Sequence, residues 1–191
     1  ISKEFSFSEI RVTHEQNLVL PHIENSKLSE VWGKLKESGL ATPNLGFISD
    51  TICCPGMDYC ALATARSIPI SNKISKKYEG FNNQNDIGNL KIKISGCINA
   101  CGHHHVGNIG ILGLERNGQE SYQLTLGGSA DENASIGKIL GPSFQEDKLM
   151  QAIEKILIVY KENRNNKNED FLKVFKRIGI TPFKEGVYDN T

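Results

Sequence analysis

Five cysteines are available for chemistry in this chain, and four of them fall into two short pairs. Cys54-Pro55-Gly56-Met57-Asp58-Tyr59-Cys60 is a C-x5-C segment. Cys97-Ile98-Asn99-Ala100-Cys101 is a C-x3-C segment, and 36 residues lie between the two. Four thiols in two tight pairs can close round one metal centre. Gly and Pro in and beside both pairs allow the sharp turns that a bulky inorganic group demands. A [4Fe–4S] cluster takes four thiolates, one per iron, and is the first reading. Tetrahedral zinc held by four cysteines is the main alternative, although its knuckles favour C-x2-C or C-x4-C spacing. Thiols without metal, or joined as disulfides, are the third. Pro55 and Gly56 let the first segment curl so that both sulfurs face inward. A C-x3-C pair at the start of a helix would set two sulfurs about one turn apart on one face, near amides that stabilise thiolates.

Two neighbouring features invite the same chemistry. Cys53 adjoins Cys54, so the two side chains point apart, and Cys53 reads as a small buried residue and not as a fifth ligand. His103, His104 and His105 cannot all face one side of a strand or turn. They read as lining a polar pocket or the surface, near a bound anion or a tetrapyrrole carboxylate, and not as a metal site.

The elements that must position these residues follow from periodicity. Residues 90–96 alternate, with Leu90, Ile92 and Ile94 on one face and Lys91, Lys93 and Ser95 on the other, and run straight into Cys97. Further strands are expected at 9–13, 18–23, 46–52, 107–114 and 121–126, the last two joined at Asn117-Gly118. Residues 136–140 suggest a short strand or turn. Helices are expected at 26–38, where Trp32 lies on the apolar face as a core residue, and at 60–77, 145–162 and 169–178. Residues 79–89 read as loop and 179–191 as an extended tail. The fold class is α+β, or a three-layer α/β domain, with a mixed sheet flanked by helices and the cysteine loops at strand ends.

Composition narrows the function. The chain has 191 residues, 38% hydrophobic and 23% charged, with a net charge of zero. That is ordinary globular composition, with no broad basic face for nucleic acid and no run of about 20 apolar residues for a membrane. Residues 1–12 carry charges and no apolar core of a secretory leader. Short-spaced cysteines without such a leader point to a reducing, cytoplasmic setting. The start at Ile1 suggests a piece of a longer protein.

Three strings in order resemble the sirohaem-dependent nitrite and sulfite reductases. They are Arg11-Val12-Thr13-His14-Glu15-Gln16-Asn17, Thr51 to Cys60, and Ser95-Gly96-Cys97-Ile98-Asn99-Ala100-Cys101-Gly102. The resemblance covers residues 10 to about 140 and implies a sirohaem coupled to a [4Fe–4S] cluster through a shared thiolate. By motif position Cys54, Cys60, Cys97 and Cys101 are the cluster ligands, and Cys101 is also the axial ligand of the sirohaem iron. Arg11, Gln16, Asn17, Asn99 and Gly102 match positions that face the sirohaem. The family often has C-P-N-G-C where this chain has C-I-N-A-C, and a basic residue such as Arg where His103–His105 stand.

The implied reaction is six-electron reduction of sulfite to sulfide, with nitrite to ammonia as the alternative. Electrons would come from ferredoxin or a flavoprotein reductase. A non-catalytic iron–sulfur electron carrier and a zinc-bound structural domain are the readings outside that family. The implied organisation is 1–24 as the end of a ferredoxin-like sirohaem-contacting half domain, 25–165 as the cluster- and sirohaem-binding domain, and 166–191 as a C-terminal helix and tail. The same resemblance implies that the residues that grip the anion belong largely to an N-terminal half outside this chain. No catalytic residue is therefore assigned, and the piece alone is expected to be inactive and to lack sirohaem.

Overall fold

The computed structural model describes residues 1–189, without the side chains of residues 81–83; Asn190 and Thr191 of the expected tail lie outside the described residues. The chain forms two compact units, Ile1–Pro43 and Asn44–Thr191.

The first unit holds helix α1 (Ser2–Phe5), strands β1 (Arg11–Val12) and β2 (Leu18–Val19), and helix α2 (Leu28–Glu37). Strands β1 and β2 pair antiparallel, Arg11 opposite Val19 and Val12 opposite Leu18. The Thr13 amide donates to the Asn17 carbonyl and the Asn17 amide to the Thr13 hydroxyl, which closes the hairpin. Trp32 is not a core residue: it is 48% exposed, and Val31 is the buried residue of α2. A unit of this size supplies too little apolar surface to cover a whole helix face.

The second unit is built on a five-stranded sheet in sequence order: β3 (Ile52–Cys53), β4 (Ile92–Ser95), β5 (Ile109–Arg116), β6 (Gln119–Leu126) and β7 (Lys138–Ile139). The pairs β3–β4 and β4–β5 are parallel, and β5–β6 and β6–β7 antiparallel. The sheet is thus mixed, as expected. Arg116 pairs with Gln119 across Asn117-Gly118, both at positive φ (53° and 74°), the two-residue turn that asparagine and glycine favour. All four residues of β4 are buried. The Lys93 and Ser95 face is therefore covered as well as the Ile92 and Ile94 face, as is usual for an internal parallel strand.

Helices α3 (Ile68–Tyr78), α4 (Phe81–Ile87), α5 (Glu146–Glu162), α6 (Phe171–Ile178) and α7 (Thr181–Tyr188) flank the sheet. Ile74, Ile92, Ile94, Ile109, Ile111, Leu124, Leu126, Ile153 and Ile156 are fully buried in one core. Four expectations need correction. Residues 46–51 turn, because Phe47 and Asp50 donate to carbonyls three residues back, so only Ile52–Cys53 is extended. Residues 60–67 are not helical, since Thr64 and Ala65 give their amides to Gly96. Pro69 therefore opens α3 and does not interrupt a helix. The expected loop at 79–89 contains α4, and the expected extended tail contains α7, which buries Phe183 and Val187.

Tyr160 on α5 ties three segments together: its hydroxyl lies 3.0 Å from the Ile87 carbonyl and 2.9 Å from that of Glu169. Tyr160→Phe is expected to keep the ring packing, leave the buried Ile87 carbonyl unmet and cost about 1–3 kcal/mol, measurable as a lowered urea midpoint.

Candidate metal centre

Sheet register brings the two cysteine segments together. Ile52 pairs with Lys93 and Cys53 with Ile94, and the Cys54 amide continues the ladder to the Ile94 carbonyl at 3.1 Å. Cys54 thus leaves the end of β3 beside the end of β4, two residues before Cys97. The loops beyond both strands are stitched to each other. The Gly96 carbonyl accepts from the amides of Thr64 and Ala65 at 2.9 and 3.0 Å and from the Thr64 hydroxyl at 3.1 Å. The Met57 amide donates to the Ala65 carbonyl at 3.1 Å.

This approach requires glycine. A Cβ on Gly96 would lie 3.0 Å from the Gly56 Cα, and one on Gly102 would lie 1.8 Å from the Ile94 carbonyl oxygen. Gly56 also has φ +64°, and from there Gly56–Asp58 forms a single 3-10 turn that delivers Cys60. The second segment is not the start of a helix. It is a pair of turns, Ala100 amide to Cys97 carbonyl at 3.2 Å and His103 amide to Ala100 carbonyl at 2.7 Å, with Ala100 at φ 58°. A residue in the left-handed region cannot continue an α-helix.

None of the five cysteines is joined in a disulfide among the described residues. Cys54 and Cys97 are buried, Cys60 half-buried and Cys101 exposed. The Cys54 sulfur receives the Gly96 amide at 3.0 Å and lies 3.4 Å from the Ser67 hydroxyl. Among the described residues no group of three or more His, Cys, Asp or Glu is placed to hold a single metal ion. A cluster asks for a different arrangement. Its four thiolates bind separate irons, whereas zinc draws all its thiolates to about 2.3 Å from one point. Soft thiolates on two loops, an amide aimed at a sulfur, and a glycine-lined approach fit an iron–sulfur group.

Cys53 points to the other side of β3 and packs on the core, where burial pushes its thiol pKa up against the effect of a hydrogen bond from Ser71. Arg66 fastens the first loop to the sheet. Its Nε donates to Asp58 at 3.1 Å, its amide to Glu120 at 2.7 Å, and its guanidinium pairs with the same Glu120. Sequence reasoning passes over Arg66 and Ser67, because nothing in their spacing marks them. Their partners are 54 and 13 residues away.

The sirohaem-type positions are divided between the two units. In the second, Asn99 is exposed and Gly102 buried under the Ile94 carbonyl. In the first, Arg11 is exposed, donates to Glu9 at 2.5 Å and lies 3.5 Å from His22. The hydrogen bond from Arg11 holds the Glu9 carboxyl below its usual range. Gln16 is exposed at φ 63°, and Asn17 is half-buried. Of the three histidines, His103 and His105 are exposed and His104 is buried, its ring stacked on His105 at 4.2 Å with Nδ1 unpartnered. Burial, and then the charge of His105, depress the His104 pKa to about 4.

Comparison with known proteins decides the family. Residues 47–191 match the family model described as the nitrite and sulphite reductase 4Fe-4S domain, and residues 1–38 that of the nitrite/sulfite reductase ferredoxin-like half domain. The chain belongs to the nitrite and sulphite reductase family.

A relative from Mycolicibacterium paratuberculosis, sulfite reductase [ferredoxin] 2, is 28% identical over 82% of this chain and 30% of its own length. The assimilatory-type sulfite reductase of Nitratidesulfovibrio vulgaris is 23% identical over 98% of this chain and 82% of its own length. The chloroplastic ferredoxin–nitrite reductase of Betula pendula is 25% identical over 83% and 28%. The chain therefore spans about 30% of the length of most of these reductases. Among solved structures, Mycobacterium tuberculosis NirA superposes with a TM-score of 0.74 at 24% identity, over 91% of this chain and 33% of that one. Dissimilatory sulfite reductase I gives 0.76 at 12% identity, over 94% and 61%. Both support the fold. No helix among the described residues is long and apolar enough to cross a membrane.

The loop geometry predicts two opposite outcomes. Ala100→Gly relieves a left-handed alanine and is expected to raise stability by roughly 1 kcal/mol, whereas Gly102→Ala drives a Cβ into backbone and is expected to cost about 3 kcal/mol or block folding. Urea denaturation of the thiol form measures both.

The buried His104 gives a pH dependence. Its folded pKa of about 4 lies below the unfolded value of about 6.5, so the unfolded chain binds the extra proton between them. Stability is expected to be full above about pH 6.5 and to fall as the pH drops toward about 4. His104→Gln is expected to flatten that part of the urea-midpoint profile.

Proposed function

We propose that the chain is the cluster-binding portion of a reductase that takes sulfite to sulfide. Cys54, Cys60, Cys97 and Cys101 would hold a [4Fe–4S] cluster, and Cys101 would also bind the iron of a sirohaem. The observation that carries the reading is the meeting of both cysteine segments at the ends of neighbouring parallel strands, inside the stretch that matches the family's 4Fe-4S domain. When bound, the two groups supply stored electrons and an iron that holds the anion.

The chain's own residues do the rest. Gly56, Gly96 and Gly102 let the two loops touch. The Gly96 amide is aimed at the Cys54 sulfur, and the Arg66 pairs with Asp58 and Glu120 keep the first loop against the sheet. Burial of Cys54 and Cys97 shields two thiolates from water, while the exposed Cys101 keeps a sulfur open for a second metal. By their motif positions, Arg11, Gln16, Asn17, Asn99 and Gly102 would be the residues that face the sirohaem.

Sulfite is favoured over nitrite because the relative that the chain covers over most of its own length is named an assimilatory-type sulfite reductase. Nitrite is the second reading, supported by the nitrite reductases of plants at similar identity. The donor we propose is a ferredoxin or an NADPH-linked flavoprotein, as the names of the relatives suggest.

The test takes the full-length protein that carries this chain, loaded with iron, sulfide and sirohaem without oxygen, and supplies reduced methyl viologen with each anion; the piece alone is expected to be inactive. Sulfide is expected from sulfite, faster than ammonia from nitrite. Faster ammonia would replace sulfite by nitrite. Four cysteines that bind zinc and refuse iron would end the reductase reading. Cys101→Ser is expected to lower sirohaem retention by tenfold or more, on the scale of a lost metal ligand (roughly 10–100-fold for supporting residues).

A further inference from the structure

We propose that Ser67 raises the reduction potential of the metal centre by donating its hydroxyl to the Cys54 sulfur. The inference rests on the reading that Cys54 is a thiolate ligand of an iron–sulfur cluster.

Ser67 is fully buried and stands at the N-cap of α3. A serine there ordinarily turns its oxygen to the helix's own amides. Ser67 makes no side-chain cap bond; its Oγ lies 3.4 Å from the Cys54 Sγ instead. In the free thiol either atom can donate. A metal-bound thiolate carries no proton, so the serine hydroxyl is then the donor.

The position is enforced from two sides. A Cβ on Gly56 or on Gly96 would each lie 2.9 Å from the Ser67 oxygen, so two glycines leave the space that the hydroxyl occupies. The Gly96 amide reaches the same sulfur at 3.0 Å, which gives Cys54 two donors. Cys54 is only 7% exposed, so little water competes for that sulfur. An electron added to a cluster held here increases the negative charge on the sulfurs. Donors to a ligand sulfur stabilise that state and raise the potential. Ser67 touches a ligand and no substrate: it is a positioning and tuning residue.

The experiment reconstitutes the wild-type chain and Ser67→Ala with iron and sulfide without oxygen, and titrates the reduced-cluster EPR signal against potential. Loss of one hydrogen bond is expected to lower the constant for one-electron reduction about fivefold, a negative shift of ~40 mV at about 59 mV per tenfold. Resonance Raman is expected to show a deuterium-sensitive iron–cysteinate stretch in the wild type that Ser67→Ala weakens.

If alanine prevents cluster uptake, the shape-matched pair Ser67→Thr and Ser67→Val decides: threonine at the wild-type potential with valine shifted negative supports the proposal. An unchanged midpoint in Ser67→Ala at full iron content, or equal potentials in the threonine and valine variants, overturns it. Absence of any iron–sulfur signal from the reconstituted wild type would instead overturn the cluster reading on which it rests.

Discussion

The second unit depends on one parallel strand pair, β3 with β4. It is short, two residues of β3 against the middle of β4, yet it sets where both cysteine segments begin. Parallel neighbours send their loops out of the same sheet edge, and that edge is where open α/β sheets gather ligands. Moving β3 by one residue would exchange the sides of Cys53 and Cys54, turning Cys54 onto the core and Cys53 toward the second cysteine segment. The pairing is reinforced where the strands stop: the Gly96 carbonyl takes three donors from residues 64 and 65. Backbone that a longer helix would have used for its own ladder is spent on joining two loops.

That trade explains which parts were legible in the sequence. The cysteine spacing, the alternating 90–96 segment and the Asn117-Gly118 hairpin depend on neighbours in sequence, and they stand in the structure as β4 and the β5–β6 pair. The helix expected across 60–77 depends on alanine propensity, which is worth tenths of a kcal/mol per residue. Several long-range hydrogen bonds outweigh it over 60–67 and leave α3 to start near Pro69. Periodicity sets Lys93 and Ser95 opposite Ile92 and Ile94 and stops there, because alternation marks which residues share a face and not whether a second layer covers the other. Trp32 misleads for the converse reason: an apolar stripe is present, without enough of its own unit to bury it. Ser67 carries no sequence signal at all. Its role arises only when a strand end and a helix start from separate stretches meet.

The glycines show the same division. Asn117 and Gly118 belong to a turn whose dihedrals need them, and spacing reveals that. Gly96 and Gly102 do not have positive φ; they are required because another backbone lies where a Cβ would be. Ala100 is the opposite case. The conformation is left-handed and the residue is not glycine, so the loop holds strain where the related motif often has none. Two contacts just downstream sustain that strain: the His103 amide closes on the Ala100 carbonyl, and Gly102 seats the loop on Ile94.

The four thiols are therefore unequal before any metal binds. Cys54 and Cys97 are covered, and Cys54 already has a donor pointed at its sulfur. Cys101 lies open, and the exposed apolar side chains Met57, Tyr59, Leu62 and Ile98 sit on or just beyond the same two segments. Electrons stored at the proposed centre would feel two environments. On the covered side, fixed dipoles set how easily charge accumulates, and water cannot screen them. On the open side, a sulfur remains accessible for charge to leave. A symmetric site, with all four thiols equally buried, would hold a cluster as firmly but offer no exit. On the proposed reading, the difference in burial between Cys54 and Cys101 would separate a centre that passes electrons from one that only braces a fold.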